Sequence, residues 1–239
     1  MGWNLLPTGI LTDVCSVVAG GILGCLLGSR LSERWKSLLN NMLGMAALVM
    51  GIVLILRVHT LSAAVLSMIV GALVGEALQL EQNVNRLVTK LTGKLMSGVN
   101  TDETYLMQVT TVVVLFCFSG TGWYGSLYEG MTGDGSILVT KAILDGITAC
   151  IFGALLGKII PCLGVPQFCV FMLLFFVSGL VAPYITPEMI ADFSAVGGIV
   201  TLTAGLRLSR IKTDIKVLNL LPSLPLAFVI SALWTALVG

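Results

Sequence analysis

The stretch Ile137-Leu-Val-Thr-Lys-Ala-Ile-Leu-Asp-Gly-Ile-Thr-Ala-Cys-Ile-Phe-Gly-Ala-Leu-Leu-Gly-Lys-Ile-Ile160 decides the fold class. A hydrocarbon core of about 30 Å takes roughly 20 helical residues at 1.5 Å each, and this run supplies that length with Lys141 and Asp145 inside it and Lys158 near its end. Working outward, comparable apolar runs cover residues 8–28, 41–57, 61–80, 105–127, 165–183, 193–209 and 215–237. With residues 137–160 as the fifth, eight spans are predicted.

Composition agrees. The 239 residues are 56% hydrophobic and 10% charged, whereas soluble domains carry about a quarter charged residues. An ordinary soluble fold is excluded, and the long uncharged runs exclude disorder. The chain reads as one all-α, polytopic membrane domain over residues 1–239. Within it, residues 81–104, polar with spaced Leu87, Leu91 and Leu95, read as an amphipathic helix on the cytoplasmic face.

The charges are segregated. Ten of the 13 basic residues lie in three patches, Arg30 to Lys36, Arg86 to Lys94 and Arg207 to Lys216, whereas Glu129 with Asp134 and Glu188 with Asp192 read as acidic connections. Basic loops stay cytoplasmic, so walking the patches through eight spans puts the N and C termini outside. Lys158 then joins the cytoplasmic set, making 11 of 13. The N-terminus has no positive n-region or cleavage motif, so the first span is expected to be permanent. Six cysteines form no CxxC pair, and His59 stands alone. These features imply no metal or cofactor, and the absence of a basic stripe with interleaved aromatics implies no nucleic-acid partner.

One offset of 154 residues lays spans 1–3 on spans 6–8 without a gap, aligning Gly44 with Gly198 and Gly51 with Gly205. The charge walk gives the two triplets opposite orientations, as an inverted repeat requires.

Span 4 contains Phe116-Cys-Phe-Ser-Gly-Thr-Gly-Trp-Tyr-Gly-Ser-Leu-Tyr128. Gly120, Gly122 and Gly125 are expected to break this helix in mid-membrane. Broken helices expose amide and carbonyl ends that bind ions and small charged solutes, and Ser119 and Thr121 add hydroxyls. In contrast, Gly20, Gly24, Gly28, Gly71, Gly75, Gly153 and Gly157, at four-residue spacing, read as close-packing positions.

In span 5, Lys141 and Asp145 share a helix face, with Asp145 about 13 Å in from Ser136. An unpaired charge at that depth costs roughly 3 kcal/mol on insertion scales. Two readings fit: a structural ion pair, or a solute or proton site in which Asp145 exchanges partners. Asp13 reads as interfacial, and Glu76 as near enough to the span end to reach water. Asn219 with Pro222 and Pro225 reads as a second irregular helix. With one histidine and no HExxH, GxSxG or P-loop pattern, enzymatic chemistry is not expected.

Gly20-Gly-Ile-Leu-Gly-Cys-Leu-Leu-Gly-Ser-Arg-Leu-Ser-Glu-Arg34, Leu115-Phe-Cys-Phe-Ser-Gly-Thr-Gly122, Glu129-Gly-Met-Thr-Gly-Asp134, Lys141-Ala-Ile-Leu-Asp145, Ala191-Asp-Phe-Ser-Ala-Val-Gly-Gly198 and Val217-Leu-Asn-Leu-Leu-Pro222 resemble the YqgA/YdfK family of bacterial inner-membrane proteins. The resemblance runs over almost the whole chain. It implies an inner-membrane location and a transporter-like role, and carries over no substrate or catalytic residue. In that family the place of Asp13 is commonly an Asn, so the resemblance does not require a charge there.

These readings predict an inner-membrane transporter or channel for a small solute or ion. Its site would lie near the midplane, formed by Ser119, Gly120, Thr121 and Gly122 of the broken helix 116–128 with Lys141, Asp145 and Asn219. The alternative is a structural or regulatory membrane protein acting through helix association by its glycine ridges and the amphipathic segment 81–104. Its sign would be a dry, tightly packed bundle with Lys141 and Asp145 bonded only to each other, and a polar cavity reaching Asp145 would count against it. Expected partners are the lipid bilayer, the solute or ion, and a second copy in a homodimer.

Overall fold

The computed structural model describes residues 6–28, 32–95, 103–209, 211 and 214–238. Trp3, Arg30, Arg210 and Lys212 lie outside the described residues, as do the side chains of Leu87, Leu91, Lys94 and Leu95. The elements are α1 (Thr8–Gly28), α2 (Glu33–Ile55), α3 (Leu61–Ala77), α4 (Leu80–Leu95), α5 (Glu103–Cys117), α6 (Gly120–Thr132), α7 (Ser136–Leu156), α8 (Ile159–Cys162), α9 (Gly164–Val181), α10 (Pro187–Leu208) and α11 (Ser223–Val238). Short 3-10 turns occupy Ala182–Tyr184 and Val217–Leu220, and no strand occurs among the described residues.

Among the described residues, seven helical segments are long and apolar enough to cross a membrane. Counted as one span, α3 with the start of α4, bent by 49° across Leu78–Gln79, makes eight. The chain is a multi-pass helical membrane protein. Span 4 is non-helical at Phe118 and Ser119, but Gly120, Gly122 and Gly125, expected to break it, lie within α6, and Thr104–Thr132 counts as one apolar segment of 29 residues. The irregular start of the last span is present, as the 3-10 turn around Asn219.

Two expected connections are helical instead. Helix α6 continues to Thr132 and so contains Glu129, and α10 begins at Pro187 and so contains Glu188 and Asp192. The sequence around Thr186 explains the second case. Its hydroxyl accepts from Met189 N at 3.3 Å, Pro187 fits the first helical position, and Glu188 suits the first turn. These start signals precede the continuous apolar run by more than a turn.

Two compact units are present, one of residues 1–42 and 121–184, the other of residues 43–120 and 185–239. In the first, α1 and α7 run side by side in parallel. Gly20, Gly24 and Gly28 lie so close to Gly146, Cys150 and Ala154 that an added methyl would overlap their carbonyls. Small residues at four-residue spacing let two backbones approach this way. Ile10 of α1, Leu138 of α7 and Phe171 of α9 form its buried core, with Trp123 of α6 packed against them.

In the second unit, the largely buried α10 packs on α3, α5 and α11. Phe193 stacks on Phe228 with centroids 4.5 Å apart. Gly198 and Gly205 of α10 abut Gly51 and Gly44 of α2, and Gly71 and Gly75 of α3 abut Ser223 and Asn219. Gly157 departs from the packing expectation. Its φ is +75° with nothing near its α-carbon, so it ends α7 by adopting a conformation that favours glycine.

Candidate functional site

The close approach of α1 and α7 brings Asp13 to Lys141. Lys141 Nζ donates to Asp13 Oδ2 at 3.1 Å and also hydrogen-bonds Asp145 Oδ2, one turn along its own helix. From α9, Gln167 Nε2 donates to the same Asp13 Oδ2 at 2.9 Å. The Lys141 ammonium also lies 5.4 Å from the centre of the Phe171 ring, within reach of a cation–π attraction. Ser16 Oγ donates to the carbonyl of Ala142 at 2.6 Å, pinning α1 to α7 beside the cluster.

Burial is deep: relative side-chain exposure is 0% for Asp13, 5% for Lys141 and 13% for Asp145. Asp13 is therefore enclosed by protein rather than left to water. The reason is local to α1, where Gly9 and Gly20, on either side of Asp13, seat the helix against Gly135 and Gly146 and turn the carboxylate inward. Formally, two carboxylates face one ammonium. Asp13 Oδ1 and Gln167 Oε1, both buried, have no hydrogen-bond partner among the described residues.

A second buried carboxylate organises the start of α1. Glu129 of α6 accepts from Gly9 N at 2.6 Å and Ile10 N at 3.1 Å. These amides have no partner inside the helix, and an anion suits a helix N-terminus. The second unit repeats the device with Asp192 of α10, whose Oδ1 accepts from His59 N at 3.0 Å and Thr60 N at 2.5 Å, just before α3. Ser231 Oγ donates to its other oxygen at 2.7 Å.

The structure places Asn219 in the second unit, where both ends of its amide are engaged. Its Oδ1 accepts from Glu81 N at 2.9 Å, and its Nδ2 donates to Glu76 Oε2 at 2.6 Å. Glu81 in turn pairs with Arg207 at 2.6 Å and accepts from Leu218 N at 3.2 Å, while Lys216 reaches Glu76 at 2.5 Å. Glu76 is exposed, as expected. This network clamps the bend between α3 and α4 to the turn that precedes α11.

Of the predicted site residues, Lys141 and Asp145 are together. Thr121 and Gly122 belong to the same unit as that pair, whereas Ser119, Gly120 and Asn219 belong to the other. Gly120 has ordinary room around its α-carbon, and Gly125 packs on Leu138. Asp13 joins the pair, and Gln167 was not singled out by sequence reasoning. A signal for it existed, because the 154-residue offset sets Gln167 on Asp13.

A protein of Escherichia coli (strain K12) described as "Uncharacterized protein YqgA" is 41% identical over 230 residues, covering 95% of this chain and 97% of the relative. A protein of Bacillus subtilis (strain 168) described as "Uncharacterized membrane protein YdfK" is 28% identical over 222 residues, covering 90% of this chain and 92% of the relative. No solved structure matches the chain. Residues 8–232 match the family described as "Protein of unknown function (DUF554)", and the chain belongs to that family.

Proposed function

We propose that this protein is a transporter or channel of the bacterial inner membrane for a small solute or ion, with the Asp13–Lys141–Asp145 cluster as its polar centre. The observation that carries the reading is that cluster itself. Three ionisable groups from two apolar helices are costly to bury in lipid, and such groups mark solute or proton pathways. Lys141 is bonded to Asp13 as well as to Asp145, so the buried polar centre is wider than a single i,i+4 ion pair. The glycine ridge of α1, which association would need, is already occupied by α7. Transport is favoured over catalysis because the only histidine stands apart from any nucleophile motif.

An inverted repeat of spans 1–3 and 6–8 accompanies this reading. Under the 154-residue offset Gly44 corresponds to Gly198 and Gly51 to Gly205, and the contacts made are Gly51 with Gly198 and Gly44 with Gly205. Each contact is the image of the other, as a two-fold axis between α2 and α10 requires. Asp13 and Gln167, also counterparts, bond to each other directly.

The test is reconstitution of the purified chain in liposomes, with flux measured for protons, alkali cations and small organic anions. Flux of at least one class is expected, falling about tenfold or more in Asp145→Asn. Absence of flux across the screen, with Asp145→Asn silent in cells, would overturn the reading.

A further inference from the structure

We propose that Asp13 and Gln167 form a one-proton site, in which Asp13 Oδ1 carries a proton and donates it to Gln167 Oε1. A carboxylic acid and an amide pair through two arms: the amide N–H donates to one carboxyl oxygen, and the acid O–H donates to the amide oxygen. The first arm is present, from Gln167 Nε2 to Asp13 Oδ2 at 2.9 Å. The two atoms that make the second arm, Asp13 Oδ1 and Gln167 Oε1, are the buried acceptors with no partner among the described residues. An ionised carboxylate and an amide oxygen are both acceptors, so neither satisfies the other, and leaving two such groups buried and unpaired is costly. One proton satisfies both atoms at once.

The charge balance points the same way. Helix α7 brings Lys141 and Asp145 to the site, and α9 brings Gln167 and Phe171. Helix α8, also packed on α1, has Cys162 as its only titratable side chain. Glu129 of α6 is engaged by the Gly9 and Ile10 amides. With both aspartates ionised, one ammonium faces two carboxylates and no second cation pairs with them among the described residues. A single proton from water brings the cluster to neutrality, the cheapest state for charges inside a membrane. Lys141 remains hydrogen-bonded to Oδ2, the oxygen that does not carry the proton.

The site shares its location with the transport reading but does not depend on transport occurring. Infrared spectroscopy of the purified full chain, in H2O and in D2O at neutral pH, reads a protonated carboxyl directly through its carbonyl stretch. One deuterium-sensitive band is expected. It should be lost in Asp13→Asn, kept in Asp145→Asn, and moved to higher frequency in Gln167→Leu, where the O–H loses its acceptor. Asp13→Asn keeps the fold, because its amide N–H supplies the second arm without charge, and gel filtration checks this. Absence of the band, its loss in Asp145→Asn but not in Asp13→Asn, or its appearance only when choline chloride replaces NaCl would each overturn the proposal. Flux in liposomes without the band leaves the transport reading standing, and the band without flux leaves the proton site standing.

Discussion

Lys141 Nζ donates to Asp13 Oδ2 at 3.1 Å, joining α7 to α1 across 128 residues of sequence. The same ammonium holds Asp145, so one cation is the common partner of two buried carboxyl groups. Removing one member of a buried charge set strands the rest in a medium that solvates them poorly. Lys141→Met is expected to destabilise the protein by about 3–5 kcal/mol. Adding Asp145→Asn to Lys141→Met should recover part of that loss, giving a non-additive double-mutant cycle. Unfolding in mixed micelles, followed by circular dichroism, measures both.

Glu129 separates charge from shape at the α1 N-terminus. Glu129→Gln keeps one acceptor oxygen but loses the anion, whereas Glu129→Ala leaves the Gly9 and Ile10 amides unpaired. Losses of about 1 kcal/mol for Gln and about 2 kcal/mol for Ala are expected in the same unfolding assay. Equal losses would show that the charge contributes nothing there.

The α1–α7 contact predicts opposite outcomes for two glycines. An added methyl at Gly24 meets the Cys150 carbonyl, whereas one at Gly179 of α9 meets nothing within 4 Å. Gly24→Ala should cost about 1–3 kcal/mol through overpacking, and Gly179→Ala should be neutral or slightly stabilising. Thermal unfolding of the two variants side by side tests this.

Asn219 predicts a local effect. Asn219→Ala removes the acceptor of the Glu81 amide and the donor to Glu76, releasing the clamp on the bend between α3 and α4. Trypsin cleavage at the exposed Arg86 and Lys90 should accelerate severalfold, while global unfolding shifts by about 1–3 kcal/mol. Asn219→Asp, which sets a second anion against Glu76, should cleave faster still.

The all-helical architecture of about seven to eight apolar spans was legible in the sequence because span length is dictated by bilayer thickness, which acts on each segment separately. The irregular turn at Asn219 was legible for the same local reason, since proline acts on its own helix, whereas the glycines expected to break span 4 are accommodated inside α6. What was not legible depended on pairing between distant segments. Asp13 read as interfacial because its distance from the start of α1 is short, and only Lys141 and Gln167, brought by other helices, reveal it as buried. Glu129 and Asp192 read as connection residues because short acidic stretches usually are solvated. Their true partners are backbone amides 120 and 133 residues earlier, a relationship that no local pattern records.

Those separations have a consequence for synthesis. The chain emerges N-terminus first, so α1 is made well before Glu129, Lys141 and Gln167 exist. Until then its Asp13 and its leading amides have only water or lipid headgroups to bind. Helix α1 is thus seated only after these later segments follow, and a nascent chain stopped near residue 120 presents the insertion machinery with a segment that lacks its own counter-charge. Quality control that recognises unpaired polar groups in lipid has, in α1, a direct measure of whether the second half of the protein has arrived.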